Sequence, residues 1–232
     1  MGLNDDLSKY VKGVFQGQWT RRDGQVVPTY DQIKLEGNDG VELDGTVLYA
    51  DLAESTELVR TQSSIFAAEV YKNYLYCAAK LIADCGGVVT AYDGDRVMGV
   101  FIGDSKNTSA VDCALKINYA VFNILRPAIK AQYPNSGFEL KQKVGVDTSK
   151  LLFARTGVRG TNDLVWVGSA SNNAAKLAAL PTRYYTYISE SVYTNMHSKA
   201  KMGGTPPQDM WTSVSVPALG FKVYGSTWKR TF

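Results

Sequence analysis

The feature that most restricts this fold is a change of apolar period that recurs along the chain. Residues 47–50 form an apolar run that reads as a strand. Over 55–83 the apolar residues Leu58, Ile65, Phe66, Val70, Tyr74, Leu75, Cys77, Leu81 and Ile82 fall at helical spacing, and Gly86-Gly87 stops the helix. Residues 88–92 and 96–102 form a hairpin across Asp93-Gly94-Asp95. A second helix is expected over 107–132, with Pro127 kinking it or ending its regular part. Strands follow at 140–147, 151–154 and 164–167, with a glycine-rich loop at 157–160. A helix at 169–180, a strand at 184–188, a short helix at 190–196 and a strand at 221–228 complete the series.

Strand–helix–strand–strand–helix–strand is the order of the ferredoxin-like βαββαβ unit. The expected class is α+β, with helices packed on an antiparallel-rich sheet, a central first strand and the hairpin beside it. Residues 1–44 are polar with scattered aromatics and are expected to form an N-terminal arm. Residues 45–232 are expected to form the main domain.

Composition narrows the function. The 45% apolar content of the 232 residues supplies a core, and the net charge of +3 gives no argument for nucleic acid. Cys77, Cys85 and Cys113 are odd in number and lack metal-ligand spacing, so they read as reduced thiols. A single histidine, His197, excludes histidine clusters and disfavours a Ser-His-Asp mechanism. No apolar run is long enough to span a bilayer, and the N-terminus lacks a secretory pattern, so a cytoplasmic protein is expected.

The 47–50 strand ends on Asp51, and small and hydroxylated residues lead from it into a helix. Ser55 and Thr56 suit that helix start, and such a start can hold a phosphate. A second carboxylate, Asp95, sits in the hairpin turn. If the two meet, they can hold a pair of divalent cations; if not, Asp51 is a helix-start residue and Asp95 a turn former.

Four motifs resemble class III nucleotidyl cyclases. Tyr49-Ala50-Asp51-Leu52-Ala53-Glu54-Ser55-Thr56 resembles the first metal motif, and Asp93-Gly94-Asp95 the second. The stretch from Val144 to Ser149 resembles the strand before the glycine-rich loop. Gly168-Ser169-Ala170-Ser171-Asn172-Asn173-Ala174-Ala175-Lys176-Leu177 resembles the family's Gly-x-x-x-Asn-x-Ala-(Ala/Ser)-Arg-(Leu/Met) helix.

The resemblance implies that Asp51 and Asp95, with the Leu52 carbonyl, bind two Mn²⁺ or Mg²⁺ ions. It implies that backbone N–H groups of Ala53, Glu54, Ser55 and Thr56 cradle the phosphates of a nucleoside triphosphate. Asn172 would orient the ribose, and Lys176 would stabilise the transition-state phosphate in place of arginine. That replacement leaves Arg155, Arg159 or Lys222 open as substitutes, and it leaves a nucleotide sensor open too. The purine-reading positions of the family are Ala91 and Val165 here, and neither can hydrogen-bond a base.

The chain therefore looks like the bacterial pyrimidine cyclases of the Pycsar antiphage systems. These convert UTP or CTP to the 3′,5′-cyclic mononucleotide, and family frequency favours UTP. Tyr49 shares a strand face with Asp51 and could narrow the pocket to one ring. The resemblance also implies a head-to-tail homodimer with two shared sites, and a separate effector that reads the product.

Overall fold

A computed structural model describes residues 2–232. It divides into two compact units. The larger comprises 45–149 and 169–232, and the smaller comprises 1–44 and 150–168.

The larger unit contains the end of β2 (Asp39–Ala53), α2 (Ser55–Thr61), α3 (Ser64–Asp84), β3 (Val88–Asp93), β4 (Arg96–Phe101) and α4 (Lys106–Ala120). A π-helical turn (Val121–Leu125) joins α4 to α5 (Arg126–Gln132). The first part of β5 (Lys141–Val158) follows. Then come α6 (Ser169–Ala178), β7 (Thr186–Ser189), α7 (Glu190–Asn195), α8 (Ser198–Lys201), β8 (Met202–Gly203), β9 (Gln208–Asp209), β10 (Thr212–Val214) and β11 (Val223–Ser226). β6 (Thr161–Val167) belongs to the smaller unit, together with α1 (Leu3–Gln16) and β1 (Thr20–Asp23).

The strand order in the larger unit is β10-β11-β7-β5-β2-β4-β3. Within it, β5-β2-β4-β3 is the fourth-first-third-second order of a βαββαβ unit, so the mixed α+β expectation and the interior first strand both hold. β2 pairs antiparallel with β4 and β4 with β3, whereas β5 pairs parallel with β7.

Burial explains the layering. Leu48 and Ala50 of β2 and Val97 and Phe101 of β4 join Phe66, Val70, Tyr74 and Ile82 of α3 and Val111, Leu115 and Ile117 of α4 in one buried cluster. Alternate strand residues are thereby covered by helices, which is what fixes the register.

Several boundaries differ from expectation, each for a local reason. The 55–83 helix is two helices, because Gln62 is extended and the Ser63 hydroxyl accepts from the Phe66 N–H at 3.2 Å, starting α3 anew. The α2 cap is also different. Glu54 precedes it with φ 61°, no side chain caps it, and Ser55 and Thr56 are its first helical residues. The regular part of the second helix ends at Ala120, ahead of Pro127. The chain widens into the π turn immediately before it, which absorbs the missing N–H.

The strands expected at 140–147 and 151–154 are one strand that changes partner. Residues 144–146 pair with β7, and 152–158 pair with β6. In the smaller unit, β1 pairs parallel with 39–42 of β2. The α1 helix was not foreseen, although Leu3, Leu7, Tyr10 and Val11 recur at helical spacing. All four are exposed, and Asn38 holds the helix end by donating to the Val14 and Gly17 carbonyls.

Candidate active site

Sheet register places the acids. Asp51 lies opposite Arg96 in the β2–β4 pair, and Asp93 lies opposite Arg96 in the β3–β4 pair. Gly94, at φ +61°, makes the tight turn that returns the chain so that Asp95 stands at the mouth of β4. The Leu52 N–H then donates to the Asp95 carbonyl at 3.3 Å. The two candidate ligand acids are therefore neighbours, although 43 residues separate a strand end from a hairpin turn (95 − 51 = 44 positions along the chain).

The electrostatics agree with that geometry. Burial, and next the Asp95 carboxylate, push the Asp51 carboxyl up to about 6. Arg96, Lys143 and Asp93 act more weakly, the two cations opposing the rise. Asp93 is engaged with the Arg96 guanidinium. Neither Asp51 nor Asp95 has a side-chain hydrogen bond or ion pair among the described residues. Two half-buried carboxylates without side-chain partners, where the charge of Asp95 helps to raise Asp51, are a donor set that suits a hard divalent cation. No group of three or more His, Cys, Asp or Glu side chains lies together among the described residues.

Glu54 is the one described non-glycine residue with positive φ, and its position is the link between the acid strand and α2. Its carboxylate is held by Lys141 at 2.9 Å. The Glu57 N–H donates to the Glu54 carbonyl at 3.0 Å, whereas the N–H groups of Ser55 and Thr56 come before the first helical hydrogen bond.

Asn172 and Lys176 lie one turn apart on α6, and both are exposed. Neither side chain has a partner among the described residues. The helix that carries them is fixed closely. A Cβ on Gly145 of β5 would stand 2.1 Å from the Ala174 carbonyl oxygen, so only glycine lets α6 lie there. The neighbouring Asn173 donates to Asp147 at 2.9 Å, and the Ala170 N–H donates to the Ser149 hydroxyl at 3.1 Å. The alternative cations are occupied. Arg155 donates to Asn162, Arg159 pairs with Glu36, and Lys222 pairs with Glu190.

Tyr49 and Ala91 both stand opposite Met98, so the three form one row across β2, β4 and β3, two residues from the Asp51–Arg96–Asp93 row. All of them share the face that carries Asp51. Met98 is fully buried, while Tyr49 and Ala91 are half-buried. Val165 lies on β6 in the smaller unit, 38% exposed.

Three residues near this corner escaped sequence reasoning. Lys143 is half-buried, and burial lowers its pKa while Asp51 and Glu54 oppose that. Its ammonium donates to the Leu180 carbonyl at 2.6 Å. The Tyr74 hydroxyl is buried without a partner and lies in the field of Asp51 and Asp95. Met98 lies between the two half-buried residues of its row. Periodicity assigns Tyr74 and Met98 to the core and leaves Lys143 as a strand lysine; only cross-strand register and the packing of α3 on the sheet place them here.

No protein-family model matches the chain. Among solved structures, it is similar to a bacterial light-regulated adenylyl cyclase at TM-score 0.69 and 19% identity, over 82% of this chain and 54% of that one. It therefore spans about half the length of that structure. It is likewise similar to the adenylyl cyclase CyaB of P. aeruginosa, at TM-score 0.68 and 21% identity, over 82% of this chain and 97% of that one. The architecture is that of a class III cyclase domain.

Sequence comparison goes further. The chain is 48% identical over 230 residues to the uridylate cyclase of Xanthomonas perforans, covering 99% of this chain and 98% of that protein. It is 47% identical over 235 residues to that of Burkholderia cepacia, covering 100% of both. The chain belongs to this family of uridylate cyclases, lyases of the class III cyclase type.

Proposed function

We propose that this protein converts UTP to 3′,5′-cyclic UMP and diphosphate. The observation that carries the reading is the Asp51–Asp95 corner, where two unpartnered acids are locked side by side by the β2–β4 register and the Leu52–Asp95 backbone bond. The relatives named uridylate cyclase, matched from end to end, support the choice of base.

Asp51, Asp95 and the Leu52 carbonyl would hold two Mn²⁺ or Mg²⁺ ions. When bound, these neutralise charge on the α-phosphate and lower the pKa of the 3′-hydroxyl. The chain's own residues do the positioning. Backbone N–H groups from Ala53 to Thr56 donate to the phosphate oxygens, and Lys143 adds a positive charge beside the acids. Asn172 orients the ribose, and Lys176 stabilises the negative charge that develops on the transferring phosphate. The 3′-hydroxyl attacks the α-phosphorus in line, the bond to the bridging oxygen breaks, and diphosphate leaves.

A one-ring base fits the Tyr49–Met98–Ala91 row, which offers an aromatic face and no polar atom at position 91 to read a purine edge. Asn172 and Lys176 would reach the acids of a second copy, in a head-to-tail homodimer with two shared sites. The product would act as a second messenger, read by a separate effector in antiphage defence.

The deciding experiment incubates the protein with UTP, CTP, ATP and GTP in turn, with Mn²⁺, and identifies products by mass. Cyclic UMP is expected to dominate. A dominant cyclic CMP would move the base assignment to cytosine, and a purine product alone would overturn it.

A further inference from the structure

We propose that Asp147 is a positioning residue, which sets the rotation of α6 through Asn173 and so aims Asn172 and Lys176. The inference rests on the roles those two residues have under the proposed function. The two faces of β5 divide the work. Val144 and Val146 enter the buried cluster shared with α3 and α4, so Gly145, Asp147 and Ser149 face the opposite side of the sheet. Each of these three meets α6 at a different level. A Cβ on Gly145 would stand 2.1 Å from the Ala174 carbonyl oxygen and 2.5 Å from the Ala178 nitrogen. Asp147 Oδ2 accepts from the Asn173 amide at 2.9 Å. The Ser149 hydroxyl accepts from the Ala170 N–H at 3.1 Å. The helix therefore runs against the strand, its first turn at Ser149 and its later turns at Gly145.

The three contacts do different things. Gly145 sets how closely the helix lies, and Ser149 holds a backbone group at its start. Only the Asp147 bond grips α6 by a side chain. The rest of the buried face of the helix offers little resistance to turning. Ala170, Ala174 and Ala178 are buried there, and Leu177, packed with Tyr187 and Val223, is its one long apolar side chain. Methyl groups make shallow ridges, so alanines interdigitate weakly with the sheet beneath them. A hydrogen bond, by contrast, is directional. Asp147 is 4% exposed, and a carboxylate so buried is costly unless it is bonded, so releasing Asn173 is opposed.

The bond bears directly on the exposed face. Asn172 precedes Asn173 by one residue, about 100° around the axis, and Lys176 lies one turn beyond Asn172. A rotation of about 20° carries a side-chain end ~6 Å from the axis through about 2 Å. A misplacement of about 1 Å can cost about a hundredfold in rate. Loosening this one bond is thus enough to disturb catalysis while the fold stays intact.

The test measures kcat and KM for cyclic UMP formation by the full-length protein with Mn²⁺, beside the circular dichroism spectrum and the Mn²⁺-induced rise in Tm. Asn173→Ala is expected to lower kcat about tenfold, with a smaller change in KM. The Mn²⁺ effect on Tm should stay as in wild type, because the acids lie on other elements. Asn173→Asp sets one carboxylate against another and should lower kcat about a hundredfold. Adding Asp147→Asn to it exchanges donor and acceptor, and should return kcat to within about tenfold of wild type. A bond that served the fold alone would lower Tm and leave the kcat of the folded enzyme unchanged. Wild-type kcat in Asn173→Ala, or an exchanged pair that recovers none of the activity lost in Asn173→Asp, would overturn the proposal. Asn173→Ala decides alone if Asn173→Asp fails to fold. Wild-type protein that makes no cyclic nucleotide would sink the proposed function and this role with it, whereas an active wild type with an unaffected Asn173→Ala sinks only this role.

Discussion

The acid corner and the α6 face make an instructive pair. Both carry unpartnered polar groups, but they are built differently. Asp51 and Asp95 are forced together by backbone pairing and partly withdrawn from water, so their repulsion is stored in the fold. Asn172 and Lys176 are exposed on a helix whose position is fixed by Gly145, and nothing in the larger unit opposes their charge or hydrogen bonding. On the proposed function, a cation would relieve the tension in one region and substrate would engage the free groups of the other. Rigid, destabilised acids and a relaxed helix face should respond differently to mutation.

The largest difference should appear at the acids. Asp51→Ala and Asp95→Ala are expected to lower cyclic nucleotide formation at least about a thousandfold while leaving the circular dichroism spectrum native. Turnover within tenfold of wild type in either variant would remove these residues from the reaction.

The α6 face should be more forgiving. Lys176→Ala is expected to lower kcat by about a hundredfold, or ~2.7 kcal/mol of barrier, with a smaller change in KM. Lys176→Arg should retain activity to within about tenfold, because it keeps the charge and adds a planar fork. A Lys176→Ala enzyme as fast as wild type would shift the transition-state role to another cation.

The smallest effect, on stability, separates the regions most cleanly. Asp51 titrates at about 6 in the fold, against about 3.9 in an unfolded chain. Folding therefore favours its protonated form. Its contribution is most favourable below pH ~4 and is lost as pH rises to about 6. Without cation, Asp51→Asn should raise Tm at neutral pH by roughly 2–4 °C. With wild type, the Tm increase caused by Mn²⁺ should grow as pH rises through about 6, since the ion must displace that proton. In Asp51→Asn the Mn²⁺ effect should be small at every pH, and Lys176→Ala should behave as wild type. A Mn²⁺ shift that persists in Asp51→Asn would place the ion elsewhere.

Much of this was legible in advance, for identifiable reasons. The Asp-Gly turn, the strand leading to Asp51 and the Asn172–Lys176 spacing are local patterns, and local patterns survive in one dimension. The break at Ser63 and the π turn before Pro127 were missed because capping and helix widening respond to small differences that periodicity does not weigh. Lys143, Tyr74 and Met98 carried no local signal. Their relation to Asp51 exists only across strands and between a helix and a sheet.

By itself, the sequence determined which segments become strands and helices, and which polar side chains have no place in the core. Hydrophobic periods of two and 3.6 residues are enough for that. Tertiary structure decided that two acids 44 positions apart share one corner, that burial and mutual repulsion raise Asp51, and that Tyr49, Met98 and Ala91 form one row. The reason is that charge interaction and desolvation depend on distance through space, and hydrogen-bonded register alone converts chain positions into such distances.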